Sequence, residues 1–321
     1  MLIAFVPAFG CSRQKLIPRP GEIINSDARA SGHGKTNASR DVSDAYDTKA
    51  PFTQPHVTVS QFVNQLKREI EVLKSSAAMK REFTGFAKKH ELDPDDTAQY
   101  EDYVTVKVVF EATRDAGLWW IQWDITNREP ISTNIWNQWK DAGRELHRPA
   151  AVAECDELSA LFSFLATQLG VKNTGLFWPV WNHTISVWRV ENTHGRIERI
   201  LIPTSHIFLD YEDGFDHIDN PEFDPYAAKA LYDYTQHDVN PDFTIPGERA
   251  NDFIMQIRKY GRATTETLHY LSYRRREFMG NPDSCRDIIN SVADEKSVLE
   301  NKDAPEPDIA AMQRFINDLC P

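Results

Sequence analysis

Two residues of this sequence could act together on a carbonyl group: Cys155 and His183. A thiol within hydrogen-bond reach of an imidazole forms a thiolate–imidazolium pair. That pair is an activated nucleophile with its own proton donor for a leaving amine. Cys155 opens a stretch, Glu154 to Gly170, that reads as a helix. Leu158, Leu161, Phe162, Leu165 and Leu169 recur at helical spacing, and Gly170 suits the stop. The helix N-terminus favours a thiolate, while Glu154, Asp156 and Glu157 oppose it, so a cationic neighbour is needed. Cys155 lies in line with Leu158 and Phe162 and should point inward. His183 starts a run of strong strand formers and shares a face with Ile185 and Val187, the face expected to pack inward. An inward group on a helix and another on a sheet can meet. Taken alone, Cys155 reads first as a small buried core cysteine; His183 is what shifts the reading toward a nucleophile.

The elements that must position this pair are legible in outline. Helical spacing begins near Val59, with Ser60 as a candidate cap and Phe62, Leu66, Ile70 and Leu73 inward. Met79 to Lys89 continues as a second helix. Asp93-Pro94-Asp95-Asp96 breaks the chain, and Thr97 starts a longer helix closed by Gly117. Leu118 to Ile125 reads as a short strand or a tight packing segment, and Trp136 and Trp139 lie on another short helix. After Gly170 the period changes. Val171 to Trp181 reads as strand and turn, His183 to Val190 as a strand, Glu191 to Gly195 as a turn and Arg196 to Ile202 as the return strand of a hairpin. Tyr226 to Tyr234, Glu248 to Tyr260, Thr264 to Arg276, Asp283 to Leu299 and Pro307 to Leu319 read as helices. Helices, a cysteine helix, strands and helices again argue for an α+β class.

Glu154-Cys155 running to Leu169-Gly170-Val171, then Asn182-His183-Thr184-Ile185-Ser186-Val187, then Ile202-Pro203-Thr204, resembles the transglutaminase-like cysteine enzymes. In that superfamily a cysteine heads an apolar helix ending in Leu-Gly, a His-bearing strand follows, and a return strand ends in Asp-Pro-Thr. The resemblance covers roughly residues 150 to 210. It implies a papain-like core, with the cysteine helix packed on an antiparallel sheet, and acyl-transfer chemistry on protein or peptide amides, without cofactor or metal. Ile202 stands where the family has the Asp that orients the histidine. A hairpin centred near Thr193 and His194 places Thr204 and Ser205 opposite His183, so either hydroxyl could accept the imidazole N–H. Asp210, or Glu198 with a register shift, is the other candidate. The Cys155 backbone N–H is one oxyanion donor by geometry; Gln138, Asn137 or an indole N–H from Trp136 or Trp139 could supply the second. The alternative reading is a domain that keeps the shape without the activity and serves as a binding module.

The formal net charge of −12 over 321 residues argues against a general nucleic-acid binder. The expected organisation is a signal end over 1–11, a flexible linker over 12–57, a helical lead-in over 58–149, the core over 150–215 and a helical C-terminal region over 216–321. Leu2 to Phe9 followed by Gly10-Cys11 resembles the end of a bacterial lipoprotein signal, in which Cys11 would carry the lipid. Membrane contact is then expected only through that anchor, with the protein in the cell envelope. The linker would let the folded part stand off the surface by roughly 5–6 Å times the square root of its length. Cys285 and Cys320 fall in C-terminal helices and form a possible disulfide, which would stabilise the fold by about 4 kcal/mol in an oxidising compartment. Asp210 to Asn220 is dense in oxygen ligands but lacks the alternation of an EF-hand loop and reads as a solvated acidic loop. His206 and His217 make no metal set with Cys155 at a familiar spacing.

Overall fold

A computed structural model describes residues 49–129, 131, 133–141, 148–180, 183–205, 229–232, 235 and 238–319. Thr58, rather than Ser60, begins the first helix, α1 (Val59–Lys74). Its Oγ1 accepts from Gln61 N at 3.1 Å while its own N–H donates to Gln61 Oε1 at 2.9 Å, so two orphan donors are satisfied reciprocally. Ser76 caps α2 (Ala77–Lys89). Asp96 caps α3 (Thr97–Thr113), its Oδ1 accepting from Ala98 N and Gln99 N. From Tyr103 to Thr113 every residue of α3 is buried, which makes it the central helix of the main core.

The expected linker ends earlier than the composition implied. Residues 49–57 are tied to the folded part by their backbone: the Asn251 amide bonds both Phe52 N and Phe52 O at 2.9 Å, and Arg258 Nη1 donates to Lys49 O at 2.7 Å. The strand β1 (His56–Thr58) pairs antiparallel with Thr244–Pro246. Further on, β2 (Ile121–Trp123) runs parallel to β3 (Ala151–Ala153), with the short helix α4 (Asn134–Asp141) between them.

Next comes α5 (Cys155–Gln168), then β4 (Thr174–Val180), β5 (His183–Glu191) and β6 (Ile197–Ile202). With β7 (Lys229–Tyr232) these strands form an antiparallel sheet in the order β6-β5-β4-β7. Residues 229–232 were expected to be helical; their backbone bonds to β4 make them a strand instead. Alanine and leucine are good helix formers, but intrinsic propensity is small beside tertiary context, and a waiting sheet edge overrides it. The expected helical C-terminal region thus contains two strands, β7 and β8 (Thr244–Pro246). It then continues as α6 (Gly247–Tyr260), α7 (Thr265–Gly280), α8 (Cys285–Asn301) and α9 (Glu306–Leu319).

The two faces of this sheet differ. Trp188, Val190, Ile200 and Ile202 join the main core, whereas Phe177, Ile185, Val187 and Leu201 form a second cluster with Ala230 and Tyr232 against it. The helix α5 packs on the first face, not on the Ile185 and Val187 face expected to receive it. Ser186 Oγ, on that first face, donates to Ser159 O at 2.9 Å. Along α5, Leu158, Phe162 and Leu165 enter the main core, while small polar side chains meet the sheet. Ser163 Oγ donates to Gly175 O at 3.0 Å, and Thr167 Oγ1 lies 3.1 Å from Thr174 Oγ1. Gly175 is required by its other neighbour: a Cβ there would meet Leu231 O of β7 at 2.1 Å.

One buried ion pair joins α6 to α1 and another closes the end of α3. Arg258 donates through Nε and Nη2 to Glu69 at 2.9 and 2.7 Å, and Arg114 pairs with Glu111 at 2.8 Å. Cys285 is disulfide-bonded, and its Sγ lies 3.7 Å from Leu319 O. Cys320 and Cys11 lie outside the described residues. No described helix is long and apolar enough to cross a membrane.

Candidate active site

Cys155 is the first residue of α5, and the acidic residues around it serve as its cap. Glu157 is buried; its Oε2 accepts from Glu154 N at 2.9 Å and its Oε1 accepts from Asn134 Nδ2, tying α5 to α4. Glu154 Oε1 accepts from Thr126 N at 2.9 Å and Thr126 Oγ1 at 2.7 Å. Asp156 Oδ1 accepts from Glu157 N at 2.9 Å. The carboxylates that oppose a thiolate are therefore held by the fold. Cys155 is a free, half-buried thiol. Burial pushes this thiol above its ordinary value; the backbone N–H groups of Thr184 and Asp156 work against that shift, and the charges of Asp156 and Glu154 add to it. The net direction is upward, so the helix N-terminus alone does not make a thiolate.

His183 is the first residue of β5 and is buried. Its Nε2 lies 3.0 Å from Ser205 Oγ, itself fully buried. The register explains the meeting. Ser186 pairs with Ile202, and the same antiparallel pairing continued outward brings Ser205 opposite His183. Of the two hydroxyls expected there, Thr204 points the other way, with Oγ1 2.8 Å from Ser159 Oγ. Glu198 keeps its register opposite Val190 and accepts from Asn192 Nδ2 at 3.0 Å, so it does not reach the imidazole. Ile202 is buried on the α5 side of the sheet. Asp210, with the whole stretch 206–228, lies outside the described residues.

Helix and strand approach each other at the rim of the sheet, where both begin. But His183 and Ser205 keep register positions on the Ile185 and Val187 face, opposite the one that receives α5, so the shared inward face expected for Cys155 and His183 is not what the fold provides. The Cys155 sulfur lies against the Thr184 N–H, which belongs to the peptide bond joining Thr184 to His183. Among the described residues no hydrogen bond runs from Cys155 Sγ to the imidazole.

Gln138 does not stand ready as an oxyanion donor. Its Nε2 donates to Val152 O at 2.9 Å and Asn134 O at 3.2 Å, and its Oε1 accepts from Val152 N at 2.8 Å. One amide hydrogen and the amide oxygen clamp Val152 of β3, and the other hydrogen goes to Asn134 O within α4, so the Gln138 amide is taken up by the fold. Asn137 Nδ2 donates to Thr133 Oγ1 at 3.3 Å. Trp136 and Trp139 are packed edge-to-face at 4.8 Å in the aromatic core. The backbone N–H of Cys155 remains the donor that the helix start provides. Among the described residues no group of three His, Cys, Asp or Glu side chains could hold a metal ion.

One residue of the site escaped the sequence. Ser159 Oγ lies 2.7 Å from Cys155 O, 3.3 Å from Thr184 O and 2.8 Å from Thr204 Oγ1. Its signal was available in Cys155, Ser159, Ser163 and Thr167, spaced by one helical repeat, which is a stripe of small polar residues beside the apolar one.

No protein-family model matches the chain, and no curated protein or solved structure matches it either.

Proposed function

We propose that the chain is an exported, transglutaminase-like cysteine enzyme acting on amide bonds of proteins or peptides, by hydrolysis or acyl transfer. The single observation that carries this reading is that Cys155 and His183 head a helix and a strand that begin at one rim of the sheet, with Ser205 Oγ 3.0 Å from His183 Nε2. Ser205 accepting from Nε2–H favours the tautomer whose Nδ1 is basic. Nδ1 takes the thiol proton as Sγ attacks the carbonyl carbon, and the Cys155 N–H receives the oxyanion. Collapse breaks the C–N bond, and the imidazolium returns its proton to the leaving amine, leaving a thioester. Water or a second amine then attacks, giving its proton to His183, and Sγ leaves with that proton. Because burial holds the thiol up, His183 acts here as a base during attack and not as a standing ion-pair partner. A hydroxyl orients the imidazole more weakly than a carboxylate, so a slow enzyme is expected.

The disulfide at Cys285 supports an oxidising compartment, in keeping with export and with Cys11 as a lipid anchor. The Leu319 carbonyl beside Cys285 supports Cys320 as its partner. A second reading, a binding module without catalysis, is favoured by the raised thiol and the absence of a Sγ–imidazole hydrogen bond among the described residues.

Inactivation by a thiol-directed haloacetamide at neutral pH separates the two readings. An enzyme should label at Cys155, with the rate falling about a hundredfold in His183→Ala. Amidase or transamidase activity on a peptide panel should vanish in Cys155→Ala. A Cys155 that labels at the same slow rate with and without His183 marks the binding module.

A further inference from the structure

We propose that Ser159 is a positioning residue of this site, setting Cys155, His183 and Ser205 relative to one another through one buried hydroxyl. The proposal rests on the Cys–His reading above and adds a residue outside that pair. Each of its three neighbours is a short covalent step from a chemical group. Cys155 O belongs to the nucleophile's own residue. Thr184 O belongs to the residue whose N–H meets the sulfur and which follows His183. Thr204 Oγ1 belongs to the residue before Ser205. A serine hydroxyl has one proton to donate and lone pairs to accept. At 2.7 Å that proton goes to Cys155 O, the shorter carbonyl contact, and the Thr204 hydroxyl then donates to Ser159. The junction is anchored on both sides: Ser186 Oγ donates to Ser159 O at 2.9 Å, and Asp115 N–H donates to Thr204 O at 2.9 Å.

The location matters because Cys155 and His183 are the first residues of the helix and of the strand. The apolar packing along α5 fixes the helix against the core but leaves its height over the sheet rim to these small side chains. Without the Ser159 hydroxyl, Thr204 loses a buried partner, and the chain end carrying Ser205 loses its tie to the cysteine helix. A displacement of a fraction of an ångström is enough to misalign an imidazole between two partners.

The test is the pH profile of Cys155 alkylation by a neutral haloacetamide, recorded with the thermal midpoint on the full chain. Wild type should show a limb on the acid side that His183→Ala removes. Ser159→Ala and Thr204→Val should each slow the neutral-pH rate by about tenfold or more and move that limb toward the His183→Ala profile. The double variant should be no worse than either single one. Thr204→Ser, which keeps the hydroxyl, should restore the wild-type profile. If Ser159→Ala and Thr204→Val lower the midpoint but keep the wild-type profile while His183→Ala changes it, the junction is structural and the proposal is overturned. If His183→Ala itself keeps the wild-type profile, the Cys–His reading fails, and the positioning role falls with it. Should Ser159→Ala not fold, the contrast between Thr204→Val and Thr204→Ser decides between a positioning and a structural junction.

Discussion

The two sides of α5 do different work. One side presents Leu158, Phe162 and Leu165 to a core whose neighbours include Trp119, Trp136, Trp139 and Phe253. The other presents Cys155, Ser159, Ser163 and Thr167 to a sheet, and there the contacts are hydroxyls on carbonyls and on other hydroxyls. Apolar burial is large and non-directional; it keeps the helix in place but tolerates small slides. A hydroxyl bond is worth far less, yet it has a direction and a length, so it defines where the helix starts relative to the strands. The difference suggests a division of labour: stability on one side, the geometry of the reacting groups on the other.

That division fails most visibly if it is broken from the apolar side. Phe162→Ala should destabilise the fold by about 3–5 kcal/mol, because Phe162 is fully buried in the main core and its truncation leaves a cavity there. In the fraction that remains folded, Cys155 alkylation should keep its wild-type dependence on pH. Denaturant unfolding together with labelling at low denaturant measures both. A lost acid limb in folded Phe162→Ala would mean that the apolar side also sets the site, and the two-sided description would have to be abandoned.

Much of this arrangement was legible from residue types alone. The start of α5 at Cys155, the hairpin and its centre follow from cap, period and turn signals, and counting outward from that turn already put Ser205 opposite His183. The face of the sheet was not legible. In His183-Thr184-Ile185-Ser186-Val187-Trp188 the odd positions are more apolar, yet the helix takes the even face, because a helix lined with serines needs small partners such as Ser186. Nor were β1, β3 and β8, whose three residues each are too few to show a period. Residues 229–232 have helical composition and a strand's bonds. Gln138 offered an amide of the right type at the right place, but its hydrogen bonds to Val152 could only be known from the fold.

The comparison sharpens with Ser163, which has the chemistry of Ser159 but sits one helical repeat further from the rim. Ser163→Ala removes one buried hydrogen bond to Gly175 O and should cost about 1 kcal/mol, close to the cost of losing the Ser159 hydroxyl. Unlike Ser159→Ala, it should leave the alkylation profile of Cys155 untouched, since neither Cys155 nor the strand ends carrying His183 and Ser205 touch it. Equal effects of the two serines on that profile would show that the whole polar side acts as a unit, and that the rim has no special standing.

The smallest effect concerns the thiol itself, where the two sides of α5 meet. Burial raises the Cys155 thiol above its ordinary value of 9.0, with the charges of Asp156 and Glu154 adding to the rise and the Thr184 and Asp156 N–H groups resisting it. For an acid whose folded value is raised, the neutral form is the one the fold favours. Its contribution is complete below the unfolded value and is lost as pH climbs through the folded one. The stability difference between wild type and Cys155→Ala should therefore be flat from neutral pH to just below 9.0, then fall as the solution becomes more alkaline. Taking the difference cancels the tyrosines and lysines that titrate in the same range. A difference that grows with pH well below 9.0 would have the opposite sign. It would mean that the fold prefers the thiolate, that an imidazolium at His183 outweighs burial, and that the pair stands charged before any substrate arrives.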